Sequence, residues 1–335
     1  MSGSTGQKLG GETAQAVVDT AAPSTEVASK SPMQLAAGRL RKDKLTLVSL
    51  VVVLLFVLAA ITAPLAVHFG WIDPLKSALN LTDEFGRPKD KWGGMSMDHP
   101  LGIEPGTGRD TMARLWSGVA FSLFIALSAT MIAMVLGVVL GIVSGAAGGW
   151  IDAIIGRVID LTLAFPLTLM LLALASTGLI MVEKYLHTPK GNPTAAVYVI
   201  VVLGLFGWTG IARIVRGQVL SLREREFVHA STMMGASKFR LYFREILPNL
   251  WAPILVTFTL MMPAFVSAEA ALAYLGVGVN APTPTLGNIL NESISYADVV
   301  PTFFFIPGFT IAAIVVSFNL LGDGIRDALD PKGHQ

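Results

Sequence analysis

Long apolar stretches free of charged residues recur along this chain and predict membrane-spanning helices. The first runs from Leu45 to His68 and contains no Asp, Glu, Lys or Arg. Five further apolar stretches lie at about 117–146, 153–181, 195–217, 249–275 and 302–322. A helix that rises 1.5 Å per residue needs about 20 residues to cross roughly 30 Å of hydrocarbon. The pattern therefore predicts an all-α integral membrane protein with six transmembrane helices.

The distribution of basic residues predicts the orientation of these helices. A basic cluster ending at Lys44 precedes the first helix, and more basic residues lie between the fourth and fifth helices and near the end of the chain: Arg213, Arg216, Arg223, Arg225, Lys238, Arg240, Arg244, Arg326 and Lys332. Basic loops stay in the cytoplasm, whereas long loops such as 70–116 translocate with less regard to charge. We therefore expect cytoplasmic N- and C-termini.

The same pattern divides the chain into segments. Residues 1–32 are small and polar without periodicity and lack the order of a secretory signal, so they are predicted to form a disordered cytoplasmic tail. The remaining predicted segments are the basic lead-in with the first helix (33–69), an extracytoplasmic loop (70–116), a five-helix core (117–322) with a cytoplasmic loop at 221–248, and a cytoplasmic C-terminal tail (323–335).

Composition excludes several classes of protein. Of the 335 residues, 53% are hydrophobic and 14% are charged, which is too few charges to cover a water-soluble protein of this size. The chain has no cysteine, hence no disulfide or thiolate metal site, and its net charge of +1 does not favour nucleic acid. No nucleotide-binding P-loop or H-E-x-x-H motif occurs. The stretch Gly141 to Gly145 resembles a nucleophilic serine motif around Ser144, but its helix carries no His to act as base. We therefore predict no catalytic, cofactor-binding or metal-binding residue in this chain.

The segment between the fourth and fifth helices predicts a protrusion from the membrane. Residues 224–234 fit a short helix, and Gly235 fits the left-handed residue that ends it. Ser237 can cap a second short helix, and Pro248 suits the first turn of the next membrane span. Two interpretations remain open from the pattern alone. The protrusion is either an interfacial loop whose basic side chains reach lipid phosphates or a docking site for a cytoplasmic partner.

This segment resembles the EAA loop of ABC importer permeases, in which Glu-Ala-Ala is followed at fixed spacing by Gly and by Leu-Pro. Ala230, Gly235 and the Leu247-Pro248 pair match at the family spacing, whereas His229, Ser231 and Glu245 stand where the family has Glu, Ala and Ile. Glu226 is a nearby substitute for the missing carboxylate. The resemblance implies that the following residues couple the chain to ATPases: Glu226, Phe227, His229, Ala230, Met234, Gly235, Lys238, Arg240, Leu247 and Pro248.

Other motifs resemble the C-type membrane subunit of the dipeptide, oligopeptide and nickel branch of that family. They are His99-Pro-Leu-Gly with Gly108-Arg-Asp, Arg157-Val-Ile-Asp160 leading into Ala164-Phe-Pro166, Val215 to Leu220, Ala268-Glu-Ala-Ala271, Pro282-Thr-Pro284, and Asn319 to Gly324 continuing to Asp330-Pro331. The resemblance covers about residues 33–332, with the motifs in family order. It implies the type I ABC importer permease fold.

The resemblance also implies a set of partners in the bacterial inner membrane. They are a second, B-type permease subunit, two cytoplasmic ABC ATPases that hold ATP and Mg²⁺, an extracytoplasmic binding protein, a peptide substrate and membrane lipid, without nucleic acid. Within the same class, nickel chelates, glutathione or antimicrobial peptides are alternative cargoes. Rivals from other classes are an ion-driven secondary transporter, which predicts inverted repeats not evident here, and a membrane hydrolase, which lacks a nucleophile–base pair.

Charged residues inside the predicted spans suggest gating or structural ion pairs. Asp160, Arg213 and Arg216 share a depth near the cytoplasmic ends of their helices, so we expect them to pair. Glu269 lies about 30 Å along the fifth span and therefore near its outer end. There we expect it to pair with Arg109 or Arg114.

Overall fold

The computed structural model describes residues 38–90 and 92–329. The predicted tail 1–32 and the last six residues of the predicted C-terminal tail, 330–335, lie outside that part. The helices are α1 (Lys44–His68), α2 (Thr111–Ala147), α3 (Gly149–Leu163), α4 (Leu167–Ala173), α5 (Ala175–Leu186), α6 (Asn192–Leu222), α7 (Glu226–Met233), α8 (Lys238–Tyr274), α9 (Leu286–Ile294) and α10 (Pro301–Leu329).

Five of these helices, α1, α2, α6, α8 and α10, are each long and apolar enough to cross a membrane. Counting α3 and α4 as one broken span gives six, as the sequence predicts. The prediction of one continuous helix over 153–181 is wrong, because the chain bends by 83° between α3 and α4 and breaks again before α5. Pro166 explains the bend: it has extended backbone (ψ 122°), cannot donate to a preceding turn, and disfavours helix in the residue before it.

The centre of the bundle is the contact between α2 and α6. Glycines on α2 let the two backbones approach closely, since a Cβ at each glycine would lie only 2.6–2.8 Å from the Cβ of a branched residue on α6. The pairs are Gly137 with Ile211, Gly141 with Val215, and Gly145 with Val219. Apolar burial gives little drive for helix association in lipid, so this close packing holds the bundle together.

Helix α8 begins earlier than the predicted span at residue 249. It starts at Lys238 and passes through a π-helical turn over Leu241–Ile246 and a 3₁₀ turn over Leu247–Leu250 before regular α-helix resumes at Trp251. Pro248 lies in the first turn of the 3₁₀ segment, where its missing N–H costs little. The second predicted short helix and the fifth span are therefore one continuous rod.

The bundle has two ends that differ in composition. One end, which we call the basic face, contains the residues just before α1, the end of α10, the α2–α3 turn and the segment from α6 to α8. There Arg39 donates to the Ala328 carbonyl, and Arg223 donates to the Gly145 carbonyl. The opposite end, the loop face, carries loop 69–110 and α9. Helix α9 lies between the predicted spans 249–275 and 302–322 and begins with a capping box between Thr285 and Asn288.

Candidate functional site

The segment from α6 to α8 forms a rigid protrusion on the basic face. Helix α7 ends in a Schellman motif: Gly235 adopts φ 77°, its N–H donates to the Thr232 carbonyl, and the Ala236 N–H donates to the Ser231 carbonyl. The Ser237 side chain then accepts a hydrogen bond from the Arg240 N–H and caps α8. Two local signals in the sequence therefore fix the angle between α7 and α8.

The apolar side of this protrusion faces away from the bundle. Val228 and Ser231 of α7 are buried against the protein. Met233 and Met234 are 89% and 78% exposed, and Phe239 is 73% exposed beside Phe243, with ring centroids 4.7 Å apart. Flexible, polarisable methionine and aromatic side chains at an exposed site are typical of a protein-binding surface.

The residues predicted to couple to ATPases lie together on this protrusion. Glu226, Phe227, His229, Ala230, Met234, Gly235, Lys238, Arg240 and Pro248 are exposed, and Leu247 is half-buried. Glu245, at the position where the family has Ile, lies 4.0 Å from the Arg240 guanidinium. Of the three departures from the family pattern, His229 is exposed, Glu245 is half-buried, and Ser231 is small enough to be buried.

The intramembrane acids pair with α6 near the basic face, but not as a three-residue group. Arg213 Nη2 lies 2.7 Å from Asp160 Oδ1, in a pair that is more than half exposed. The expectation that Arg216 shares Asp160 is wrong. Arg216 donates from Nε and Nη2 to the two Asp152 oxygens, at 2.5 and 2.8 Å, because Asp152 is two helical turns earlier on α3 and reaches the next turn of α6.

The serine of the hydrolase-like motif is part of this packing. Ser144 is completely buried and donates to Asp152 Oδ1 at 2.5 Å. Asp152 therefore joins α2, α3 and α6 at one point. It accepts three hydrogen bonds from Ser144 and Arg216, so this carboxylate is a structural link between helices.

The predicted pairing of Glu269 with Arg109 or Arg114 is wrong. Glu269 is fully buried on α8 and accepts a hydrogen bond from Ser122 Oγ on α2 at 2.8 Å. The same Ser122 oxygen accepts from the Leu286 N–H at 3.0 Å, so it connects α2, α8 and the start of α9. Both arginines lie instead beside an acid in loop 69–110.

That acid is Glu104, the centre of a buried ion cluster at the loop face. Arg109 donates to both Glu104 oxygens, at 2.7 and 3.1 Å, and Arg114 also donates to Glu104. Arg114 further donates to Glu292 of α9 at 2.7 Å. The cluster ties loop 69–110, α2 and α9 together with two positive and two negative charges.

The two acids of the cluster have different proton affinities. Burial alone raises the pKa of Glu104, but the hydrogen bond to Glu292, the Arg114 charge and the Arg109 hydrogen bond outweigh it and hold this pKa at about 2. Burial, together with the neighbouring Glu104 carboxylate, raises the pKa of Glu292 to about 6. Acidification from pH 7 to pH 5 therefore protonates Glu292 first.

This difference predicts a pH dependence of stability. A carboxyl group whose pKa is higher in the folded than in the unfolded protein binds its proton earlier when folded, so it favours folding as pH falls through that pKa. Relative to Glu292→Gln, the wild-type protein should gain about 1–2 kcal/mol between pH 7 and pH 4.5. Thermal unfolding of both proteins in detergent at several pH values measures the difference. A difference that is independent of pH would contradict the assignment.

Sequence reasoning did not single out Asp152, Glu104 or Glu292. A signal existed for Asp152, which lies eight residues before Asp160 and so shares its helix face, opposite two arginines three residues apart on α6. Glu104 and Glu292 are brought to the arginines by tertiary folding. In residues 38–90 and 92–329, no three His, Asp or Glu side chains are arranged to hold a metal ion.

Comparisons with known proteins agree with this architecture. The family described as "binding-protein-dependent transport system inner membrane component" matches residues 137–334, and the "N-terminal TM domain of oligopeptide transport permease C" matches residues 31–76. The inward-facing MetNI methionine ABC transporter has a similar fold, with a TM-score of 0.51 and 19% identity over 65% of this chain and 97% of that chain.

Two curated relatives match most of the chain. It is 34% identical to the dipeptide transport system permease protein DppC of Alkalihalophilus pseudofirmus, over 92% of this chain and 93% of the relative. It is 36% identical to the oligopeptide transport system permease protein OppC of Bacillus subtilis, over 88% of each. With its bundle of apolar helices, this chain therefore belongs to the family of binding-protein-dependent transport system inner membrane components, the multi-pass permease subunits of ABC transporters.

Proposed function

We propose that this chain is one of two unlike membrane subunits of an ATP-driven importer of dipeptides or oligopeptides. Its substrate class follows from the relatives named for dipeptide and oligopeptide transport, which align along nearly the whole chain. A B-type permease subunit completes the path, a binding protein delivers the peptide at the loop face, and two ATPases dock at the basic face. The N- and C-termini are then cytoplasmic.

The observation that carries this proposal is the exposed protrusion of α7 and the start of α8. Its outward side chains, Phe227, Met233, Met234 and Phe239, are apolar, although they lie on the basic, water-facing end of the bundle. Exposed apolar groups on a rigid element favour a protein partner over bulk water. Since α7 is joined to α6 by a short turn, a partner that moves α7 also moves α6 and the helices packed on it.

In such a complex this chain is a non-catalytic subunit. Its one serine in a hydrolase-like motif is buried and donates its hydroxyl proton to Asp152, which supports a structural role. ATP and Mg²⁺ bind to the partner ATPases, and closure of the ATPases around ATP drives the protrusion. ATP hydrolysis then resets the bundle.

A charge placed on the protrusion tests ATPase docking. Met233→Glu should weaken retention of the ATPase subunits at least tenfold, since a buried apolar anchor commonly contributes about 2 kcal/mol at an interface. The measurement is co-purification of the ATPases with the chain, together with ATP hydrolysis stimulated by peptide-loaded binding protein in reconstituted vesicles.

Met97→Glu is the matched control, because Met97 is 99% exposed on the loop face. It should leave ATPase retention unchanged. Equal retention of the ATPases by both variants would argue against docking at the protrusion. Failure of every dipeptide and oligopeptide tested to stimulate ATP hydrolysis would argue against the peptide cargo.

A further inference from the structure

A small polar pocket opens between α3 and α6, near the basic face and apart from the protrusion. Its volume is about 210 Å³. Its lining combines glycine and alanine with five charged side chains, namely Asp152, Arg157, Asp160, Arg213 and Arg216. A pocket with this lining can hold a small polar group close to several charges.

Four of the five charges neutralise each other. Arg216 is paired with Asp152, and Arg213 with Asp160. Arg157 is exposed and forms no ion pair or hydrogen bond with any residue that the structure describes. Three arginines against two aspartates leave one positive charge, and it resides on a guanidinium with its donors unused. The pocket therefore attracts anions.

The position of the pocket along α3 indicates that it faces water or protein. Arg157 is eight residues, or about 12 Å, from the start of α3, and Asp160 is about one turn deeper. Charged side chains at such a depth do not face lipid. The adjacent stripe on α3, with Ile154, Val158 and Leu161, is exposed and apolar and suits lipid or a neighbouring subunit. Helix α3 thus carries a charged stripe that lines the pocket and, beside it, an apolar stripe.

We infer that this pocket is a carboxylate-binding subsite in the cytoplasmic half of the translocation path, with Arg157 contacting the C-terminal carboxylate of a passing peptide. The inference rests on the proposed function, which supplies a substrate that carries a carboxylate. A guanidinium presents paired N–H donors that match the two carboxylate oxygens. The site is exposed, so the interaction is weak and the peptide leaves again.

The natural absence of cysteine allows a direct test. Ala153 lines the pocket, whereas the next residue, Ile154, lies on the apolar stripe of α3. In the reconstituted complex, single Ala153→Cys and Ile154→Cys variants are treated from the cytoplasmic side with anionic or cationic methanethiosulfonate reagents of similar size. Each rate is divided by the rate of the same reagent with free cysteine. We expect the normalised rate at Ala153→Cys to be about threefold higher for the anionic reagent, and Ile154→Cys to react slowly with both.

Two further arms identify the responsible charge and the ligand. Adding Arg157→Gln to Ala153→Cys should remove the preference for the anionic reagent, whereas Arg41→Gln, a matched change in the lead-in, should preserve it. A free-acid dipeptide should slow labelling by the anionic reagent at least twofold more than the same dipeptide with an amidated C-terminus. These comparisons are made in zwitterionic vesicles and repeated with anionic lipid.

Several outcomes overturn the inference. They are equal normalised rates for the two reagents, an unchanged preference after Arg157→Gln, and equal protection by the acid and the amide. Labelling slowed by anionic lipid but by neither peptide assigns the pocket to lipid phosphate and also overturns it. Peptide uptake by the same vesicles is measured separately. If the vesicles take up peptide but the free-acid dipeptide does not slow labelling, the subsite alone is rejected. If the wild-type complex transports no peptide, the proposed function is rejected.

Discussion

Replacing Arg114 with Met should lower the free energy of unfolding by about 3–5 kcal/mol, which is the usual cost of removing one partner from a buried ion pair. Arg114 is 1% exposed and donates to Glu104 and to Glu292. Methionine fills similar space without charge, so Glu292 loses its closest cation and the cluster is left with one positive and two negative groups. Because Glu292 belongs to α9, this helix should detach first. Thermal unfolding in detergent and proteolysis of the loop face measure the effect.

Lys76→Met is the control for this change. Lys76 lies in the same loop, is exposed and forms no ion pair with the residues that the structure describes, so its loss should change stability by less than about 0.5 kcal/mol. Adding Glu292→Gln to Arg114→Met should recover part of the lost stability, since it removes the stranded negative charge. Equal unfolding temperatures for Arg114→Met and Lys76→Met would show that the cluster does not hold α9.

The membrane helices could be predicted from sequence because each is encoded by its own apolar run. Helix α1 shows this most clearly, as it contains no charged residue after Lys44 and matches the predicted span almost residue for residue. The break at Pro166 was harder to place. Proline within a membrane helix is tolerated where neighbours satisfy the freed backbone groups, so its presence alone does not separate a kink from a right-angle bend.

The contacts that stabilise the second break, between α4 and α5, are visible only in the folded protein. Tyr198 of α6 donates its hydroxyl to the Leu171 carbonyl at 2.5 Å, near the end of α4. Its ring also packs so closely on Gly178 of α5 that a Cβ there would lie 2.3 Å from a ring carbon. One side chain of α6 thus contacts both α4 and α5, on the two sides of the second break, and the local sequence does not record it.

The difference between local and tertiary determinants also explains why the protrusion was easier to predict than the ion pairs. The protrusion was predictable because Gly235 and Ser237 act on backbone groups within five residues of themselves. Among the ion pairs, only Arg213 with Asp160 was predictable, from their shared depth. The other partners were not, since an arginine pairs with whichever acid the tertiary fold brings nearest. Glu104 reaches Arg109 and Arg114 because loop 69–110 folds back on itself, with the Ile103 N–H donating to the Gly93 carbonyl at 2.8 Å. Glu269, although at the expected depth, is enclosed by α2 and α9.

Replacing Gly235 with Val should reduce peptide uptake by at least tenfold while leaving the chain in the membrane. Gly235 has φ 77°, a conformation that costs an L-residue about 1–2 kcal/mol and a β-branched one more. Such a cost shifts the population of correctly angled protrusions by a factor of about 5 to 30. No atom lies within 4 Å of where a Cβ would be, so crowding does not contribute. Uptake by reconstituted vesicles and ATP hydrolysis are the measurements.

Gly235→Asn separates backbone strain from the loss of glycine itself. Asparagine adopts the left-handed conformation far more readily than valine, so this variant should keep most of the uptake although its side chain is of comparable size. ATP hydrolysis should persist in Gly235→Val even where uptake is lost. The ATPases remain able to bind the apolar side chains of the protrusion, but their motion is no longer transmitted to α6. Equal uptake by the Val and Asn variants would mean that the angle between α7 and α8 does not transmit the motion.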